Sequence, residues 1–225
     1  MLKNILIVGG TSGLGLELTK IYSSLGHTVT IAGRKNPNLT NVRFVSFSIT
    51  SHLEETIKQI DELLSQIEKV NTLIYTAGFY QSGHVDELSD TQITEMVNIN
   101  LLVPALMVRR LKNNPGKPLK VMLITSSSQY TPRELEPMYT STKAALGMLG
   151  ASLSLDLGIG KVLVVAPSGM KTPFWKNSND TSEYLEPKWV AEQVVELSSG
   201  PFKYRYAKIL RNPQKVEIVE TRQQE

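Results

Sequence analysis

There is no cysteine anywhere in the 225 residues. Disulfide staples, thiolate catalysis and cysteine-ligated zinc are therefore excluded. Histidine is nearly as scarce: His27, His52 and His84 share no ligand spacing, so no metal site is expected. Charge of one sign is missing too, the formal balance being only +3. The cations of the tail, Lys203, Arg205, Lys208, Arg211 and Lys215, come without a basic block or interleaved aromatics, which argues against nucleic-acid binding. No apolar run approaches eighteen residues, so no membrane span is expected. The N-terminus enters a strand pattern directly, without an export signal, and a cytoplasmic location is the expectation. Repeats, low-complexity tracts and linkers are absent. A chain of this length with 41% hydrophobic residues suits one domain over residues 1–225.

What is present begins at once. Asn4–Val8 is an apolar run of strand length, followed by Gly9-Gly10-Thr11-Ser12-Gly13-Leu14-Gly15. Leu14, Leu18, Ile21, Tyr22 and Leu25 then recur at helical spacing, and Gly26 closes the helix. Strand, glycine turn and helix together make a phosphate cradle. Glycines let backbone N–H groups approach, and the helix start offers unpaired donors.

The alternation continues. Strands are expected at 27–32, 42–47, 71–75, 119–125, 160–166 and 204–210. Ser51-His52-Leu53-Glu54 and Ser89-Asp90-Thr91-Gln92 read as capping boxes opening helices, and Pro104 predicts a kink within the second of them. A turn is expected at Asn113–Gly116, a helix over 138–157, another from Pro187, and a frayed, charged end. This pattern gives the fold class: α/β, a Rossmann-like, doubly wound parallel sheet flanked by helices.

The second strand ends in Gly33-Arg34-Lys35. An acid there would hold a ribose 2′-OH, whereas an arginine favours a 2′-phosphate. Arg34 therefore points to NADP(H), with NAD(H) the weaker alternative.

Tyr139 and Lys143 stand four apart on one helical face. A cation beside a phenol favours phenolate, and a phenol so poised can exchange a proton with an alcohol or alkoxide. The spacing recurs at Tyr184–Lys188 and Tyr204–Lys208, but only Tyr139 follows the central fifth strand. Only Tyr139 has a serine thirteen residues upstream, Ser126, placed to bond the reacting oxygen.

With these motifs in hand the chain resembles the short-chain dehydrogenase/reductase family, in its compact standard type, from Ile5 to about Leu210. Gly9, Gly13 and Gly15 match its glycine pattern, Thr76-Ala77-Gly78 its Asn-Ala-Gly, and Pro167-Ser168 with Thr172 its Pro-Gly segment. Asn100, Ser126, Tyr139 and Lys143 match its catalytic set. Departures stand at Val8, Thr76, Ser168 and Ser48, the last where the family's aspartate touches adenine. The resemblance implies that Tyr139 is the general acid/base and that Lys143 tunes it and binds the nicotinamide ribose. Ser126 would orient the substrate carbonyl, and Asn100 would hold a water on a proton relay. Cofactor contacts would also come from Thr11, Ser12, Leu14, Arg34, Ser48, Ala77, Gly78, Pro167, Met170 and Thr172.

The expected function is hydride transfer between NADP(H) and a small carbonyl or alcohol. The rival is an NADP(H)-binding sensor or scaffold without turnover. Helix 138–157 is apolar around much of its circumference, which predicts a homodimer or homotetramer through it.

Overall fold

The computed structural model describes residues 3–112, 118–175 and 181–224. The expected turn at 113–116 lies outside them, as do residues 176–180 of the segment after the sixth strand. Seven parallel strands, β1 (Asn4–Val8), β2 (Thr28–Gly33), β3 (Val42–Ser46), β4 (Thr72–Tyr75), β5 (Leu119–Ile124), β6 (Ile159–Pro167) and β7 (Tyr204–Arg211), lie in the order 3-2-1-4-5-6-7. The order reverses between β1 and β4, the switch point at which such sheets bind ligands. An eighth strand, β8 (Gln214–Arg222), pairs antiparallel with β7 along its whole length.

That eighth strand corrects the expectation of a frayed end. Its charges sit on an exposed edge strand, where they do not oppose pairing. Arg222 anchors it, with its guanidinium 4.6 Å from the centre of the Tyr204 ring and a 3.2 Å hydrogen bond to Ser154 Oγ.

The strands bury both faces, so successive residues serve opposite cores. Leu6, Val8, Leu73 and Tyr75 join one cluster with α2 (Leu53–Ser65), α4 (Val103–Leu111) and α5 (Pro137–Leu153). Ile5, Ile7, Ile74 and Met122 join the other with α1 (Gly13–Ser24) and α6 (Pro187–Leu197). This is why the strands read as unbroken apolar runs rather than alternating ones.

Local signals fared unevenly. The Ser89 capping box forms in full: Gln92 N–H donates to Ser89 Oγ at 3.3 Å and Ser89 N–H to Gln92 Oε1 at 2.9 Å, opening α3 (Asp90–Val97). The one expected at Ser51 does not. The N-cap is His52 without a side-chain cap; Thr50 Oγ1 takes the His52 N–H, and the Ser51 carbonyl accepts from Asn98 Nδ2. Before Pro104 the helix widens into a π turn, Asn98–Leu102, that joins α3 to α4 and buries both Asn98 and Asn100. By length and composition the joined helix Asp90–Leu111 could cross a bilayer. It carries buried, hydrogen-bonded asparagines and packs Met96, Val103 and Met107 inside the protein, the placement of a core helix.

Candidate active site

At the end of β1 the chain turns with Gly9 at φ +86, a conformation that favours glycine. A Cβ there would lie 2.7 Å from the Ala77 backbone nitrogen, and one on Gly15 would strike the Gly9 carbonyl. The turn is thus folded tightly against the exit of β4, where Thr76 Oγ1 donates to the Val8 carbonyl at 2.9 Å. Thr76, a departure from the family motif, ties the two strand ends together. Helix α1 starts here with Ser12 extended and making no side-chain cap bond. The first-turn N–H groups have no partner within the helix, and the residues that carry them line a cleft of about 770 Å³. A pyrophosphate fits such a cradle.

Gly33 closes the far side of the turn. A Cβ on it would come within 2.7 Å of Thr11 Oγ1, so a side chain at that position requires Thr11 to shift. Exposed Arg34 follows it on the cleft wall.

The cleft gathers almost every residue singled out in the sequence. Gly9, Thr11, Ser12, Gly13, Leu14, Gly15, Arg34, Ala77 and Gly78 line it from the β1, β2 and β4 ends. Ser126, Tyr139, Lys143, Pro167, Met170 and Thr172 line it from β5, α5 and β6. Two residues stand apart. Ser48 is not on the wall; Phe47 and Ile49 are, and the Ser48 N–H is taken by Gln59 Oε1 at 2.8 Å. Asn100 is fully buried behind the wall. Its Oδ1 accepts the Phe79 N–H at 2.9 Å, while Nδ2 donates to the Phe79 carbonyl at 2.9 Å and to Thr142 Oγ1 at 3.0 Å. It braces the loop after β4 against α5. Both of its side-chain donors are taken up.

Tyr139 and Lys143 are 4% and 3% exposed. Burial dominates their protonation. It raises the Tyr139 phenol far above its ordinary 10, opposed by the Ser126 hydrogen bond and assisted by the Glu136 charge. It lowers the Lys143 ammonium to about 8. The sequence suggested that the lysine would pull the phenol down. Burial works against that pull: Nζ lies 5.7 Å from the ring centre, and desolvation disfavours both ions. Tyr139 therefore keeps its proton at neutral pH. The Nζ contacts the Ile124 carbonyl at 3.4 Å, at the end of β5.

Further residues line the cleft beyond those singled out above. The Tyr80 ring stands edge-on to Tyr139, with centroids 5.0 Å apart, and Phe174 lies 6.2 Å from it. Arg133, Glu136, Tyr184 and Arg211 complete that end of the cleft. A signal for Glu136 was available. It precedes Tyr139 by three residues, at the N-cap of the same helix.

The chain matches the family model described as short chain dehydrogenase over residues 3–183. It is 30% identical over 218 residues to a dihydropteridine reductase of Dictyostelium discoideum, covering 89% of each chain. The fold is shared with a 3-ketoacyl-(acyl-carrier-protein) reductase from Brucella melitensis solved with NADH, at TM-score 0.73 and 23% identity over 88% of this chain and 90% of that one. It is shared as well with an actinorhodin polyketide ketoreductase solved with NADPH, at TM-score 0.78 and 18% identity over 94% and 97%.

Proposed function

The chain belongs to the short-chain dehydrogenase family, and from that membership we propose an NADP(H)-dependent oxidoreductase that interconverts a small carbonyl and an alcohol. The observation that carries this reading is the shared cavity. The buried, protonated Tyr139, with Ser126 beside it on the wall and Lys143 one turn on along its helix, lines the same cleft as the glycine turn.

The nicotinamide, when bound, supplies or accepts the hydride. The protein's part is position and the proton. Tyr139 in its phenol form donates to the oxygen of a carbonyl substrate, and in the reverse direction a phenolate there accepts from the alcohol. Ser126 stands beside the same oxygen as its hydrogen-bonding partner. Lys143, mostly charged at pH 7 with a pKa of about 8, presents donors to a ribose and a positive charge to a forming phenolate. Asn100 holds the loop and α5 in register. By the family resemblance it would also hold a water that links Lys143 to solvent as a proton relay. Arg34, which follows Gly33 on the cleft wall, is the partner for a 2′-phosphate, which supports NADP(H) over NAD(H).

We also propose a homodimer or homotetramer through α5. Its outward side carries Met148 at 67% exposed, and Leu155 just beyond it is 76% exposed. Helix α6 packs against α1 on the opposite face of the sheet and does not cover them. A cytoplasmic location is proposed on the sequence alone. A sensor without turnover would need no poised acid, and the Ser126, Tyr139 and Lys143 set tells against it.

The test is hydride transfer across a panel of carbonyls, followed at 340 nm, for wild type and Tyr139→Phe. The variant keeps the ring and loses the proton. Turnover is expected to fall by roughly 10²–10⁴-fold with NADPH binding retained. Near-normal kcat in the variant would remove Tyr139 from its role.

A further inference from the structure

Behind Tyr139 lies a chain of side-chain hydrogen bonds that the family motifs do not contain. Ser126 lines the cleft with Tyr139 and opposes the rise of the phenol pKa that burial causes. Its Oγ stands 3.3 Å from Ser128 Oγ, which stands 2.9 Å from Glu136 Oε2. The other carboxylate oxygen, Oε1, is 3.4 Å from the Tyr80 hydroxyl, and Tyr80 is the ring packed edge-on against Tyr139. Arg133 holds the carboxylate from outside, with Nε 3.9 Å from Oε2 and a second arm on Ser127 Oγ at 2.8 Å. The Glu136 side chain is only 13% exposed.

The order of hydrogens along this chain is forced. An ionised carboxylate only accepts, so Ser128 and Tyr80 donate to Glu136. Ser128 has one hydroxyl proton, now committed. Its remaining role towards Ser126 is to accept, so Ser126 donates to it. Ser126 Oγ, which also accepts the Ser128 N–H at 3.1 Å, then offers a lone pair to the Tyr139 phenol proton.

We propose that Glu136 is a positioning residue of the reaction, acting through Ser128 to fix the Ser126 hydroxyl as the acceptor that aims the Tyr139 proton into the cleft. This rests on Tyr139 being the general acid. In the free enzyme the single Ser126 proton goes to Ser128; to bond a substrate carbonyl oxygen, which only accepts, Ser126 must turn that proton to the substrate and release Ser128. The carboxylate also has an electrostatic effect, since its charge disfavours the phenolate. The other groups facing the phenol are Tyr80 from the loop after β4, Arg133 and Ser126 from the 126–136 segment, and Lys143 from its own helix.

Two variants separate the contributions. Glu136→Gln keeps the shape and removes the charge and the acceptor-only rule. Ser128→Ala cuts the chain and leaves the charge in place. Each is expected to lower kcat about 3- to 10-fold, the worth of one ordinary hydrogen bond, with KM for NADPH unchanged. The double variant is expected to lose no more than the worse single one, because both cut the same chain.

Multiplicative losses in the double variant would overturn the proposal. Tyr139→Phe run alongside keeps the two readings apart: full turnover in it sinks the general acid itself, whereas its loss with unaffected Glu136→Gln sinks only the positioning role. A readout independent of turnover is the 19F spectrum of protein labelled with 3-fluorotyrosine, in which the Tyr139 signal is the one that Tyr139→Phe deletes. That signal is expected to shift in both Glu136→Gln and Ser128→Ala. A fixed position in both refutes the chain whatever the substrate.

Discussion

Lys143 should destabilise the protein that it serves. Its amine is 3% exposed and its pKa falls from 10.5 to about 8 through burial alone. At about 1.36 kcal/mol per pH unit, that gap is a penalty of about 3 kcal/mol on the folded state at pH 7. The 3.4 Å contact with the Ile124 carbonyl returns about 1 kcal/mol of it. Replacing the lysine by methionine, which keeps the stem and drops the charge, should therefore stabilise the cofactor-free protein by about 2 kcal/mol. For a chain of this size the melting midpoint should rise by roughly 4–8 °C, while turnover is lost. The pH dependence is the sharper test. Below pH 8 both the folded and unfolded lysine carry the proton, and the penalty is whole. Between about 8 and 10.5 the unfolded state binds the extra proton, so wild type gains stability as pH rises. Lys143→Met lacks this gain, and the gap between the two proteins should close across that window. Other groups titrate alike in both and cancel in the difference. Urea unfolding at pH 7, 8, 9 and 10 measures it. A methionine variant less stable than wild type at pH 7, or a gap constant with pH, would refute the reasoning.

Arg34→Asp should reverse coenzyme preference, weakening NADPH by about 10- to 100-fold as a charge-assisted contact is lost while NADH gains an acceptor for its ribose; fluorescence quenching titrations read both, and a wild type that binds NADH as tightly as NADPH removes Arg34 from the 2′-phosphate. Light scattering after size exclusion should give two or four times the 25.0 kDa chain mass at micromolar concentration; a monomer would leave the exposed Met148 and Leu155 unexplained.

Local order along the chain was enough for much of this molecule. The run from Asn4 to Leu16 needs only its own residues to become strand, glycine turn and helix start, and it did so in the expected place. The Ser89–Gln92 box closed because its two bonds join residues three apart. Tyr139 and Lys143 share a helical face by arithmetic, and the order of strands made their helix follow the central β5. What misled was also local. Ser51 looked like a cap, yet Thr50 and the distant Asn98 took the bonds of that turn. The tail looked frayed because its charges hid a ladder that exists only once β7 is there to pair with.

The sequence by itself determined the α/β alternation, the phosphate turn and the identity of the groups able to move a proton. Those depend on contacts within one element or on the spacing of neighbours along the chain. The tertiary structure alone decided the state in which those groups rest. Whether Tyr139 holds its proton, and how weakly Lys143 holds its own, follows from desolvation by strands and loops far away in sequence. That Ser128 donates to Glu136, that Thr11 crowds the Gly33 position, and that the Ser48 N–H is taken by Gln59 are through-space facts. A low-dielectric interior sets the strength of each such contact, and no spacing rule carries that information.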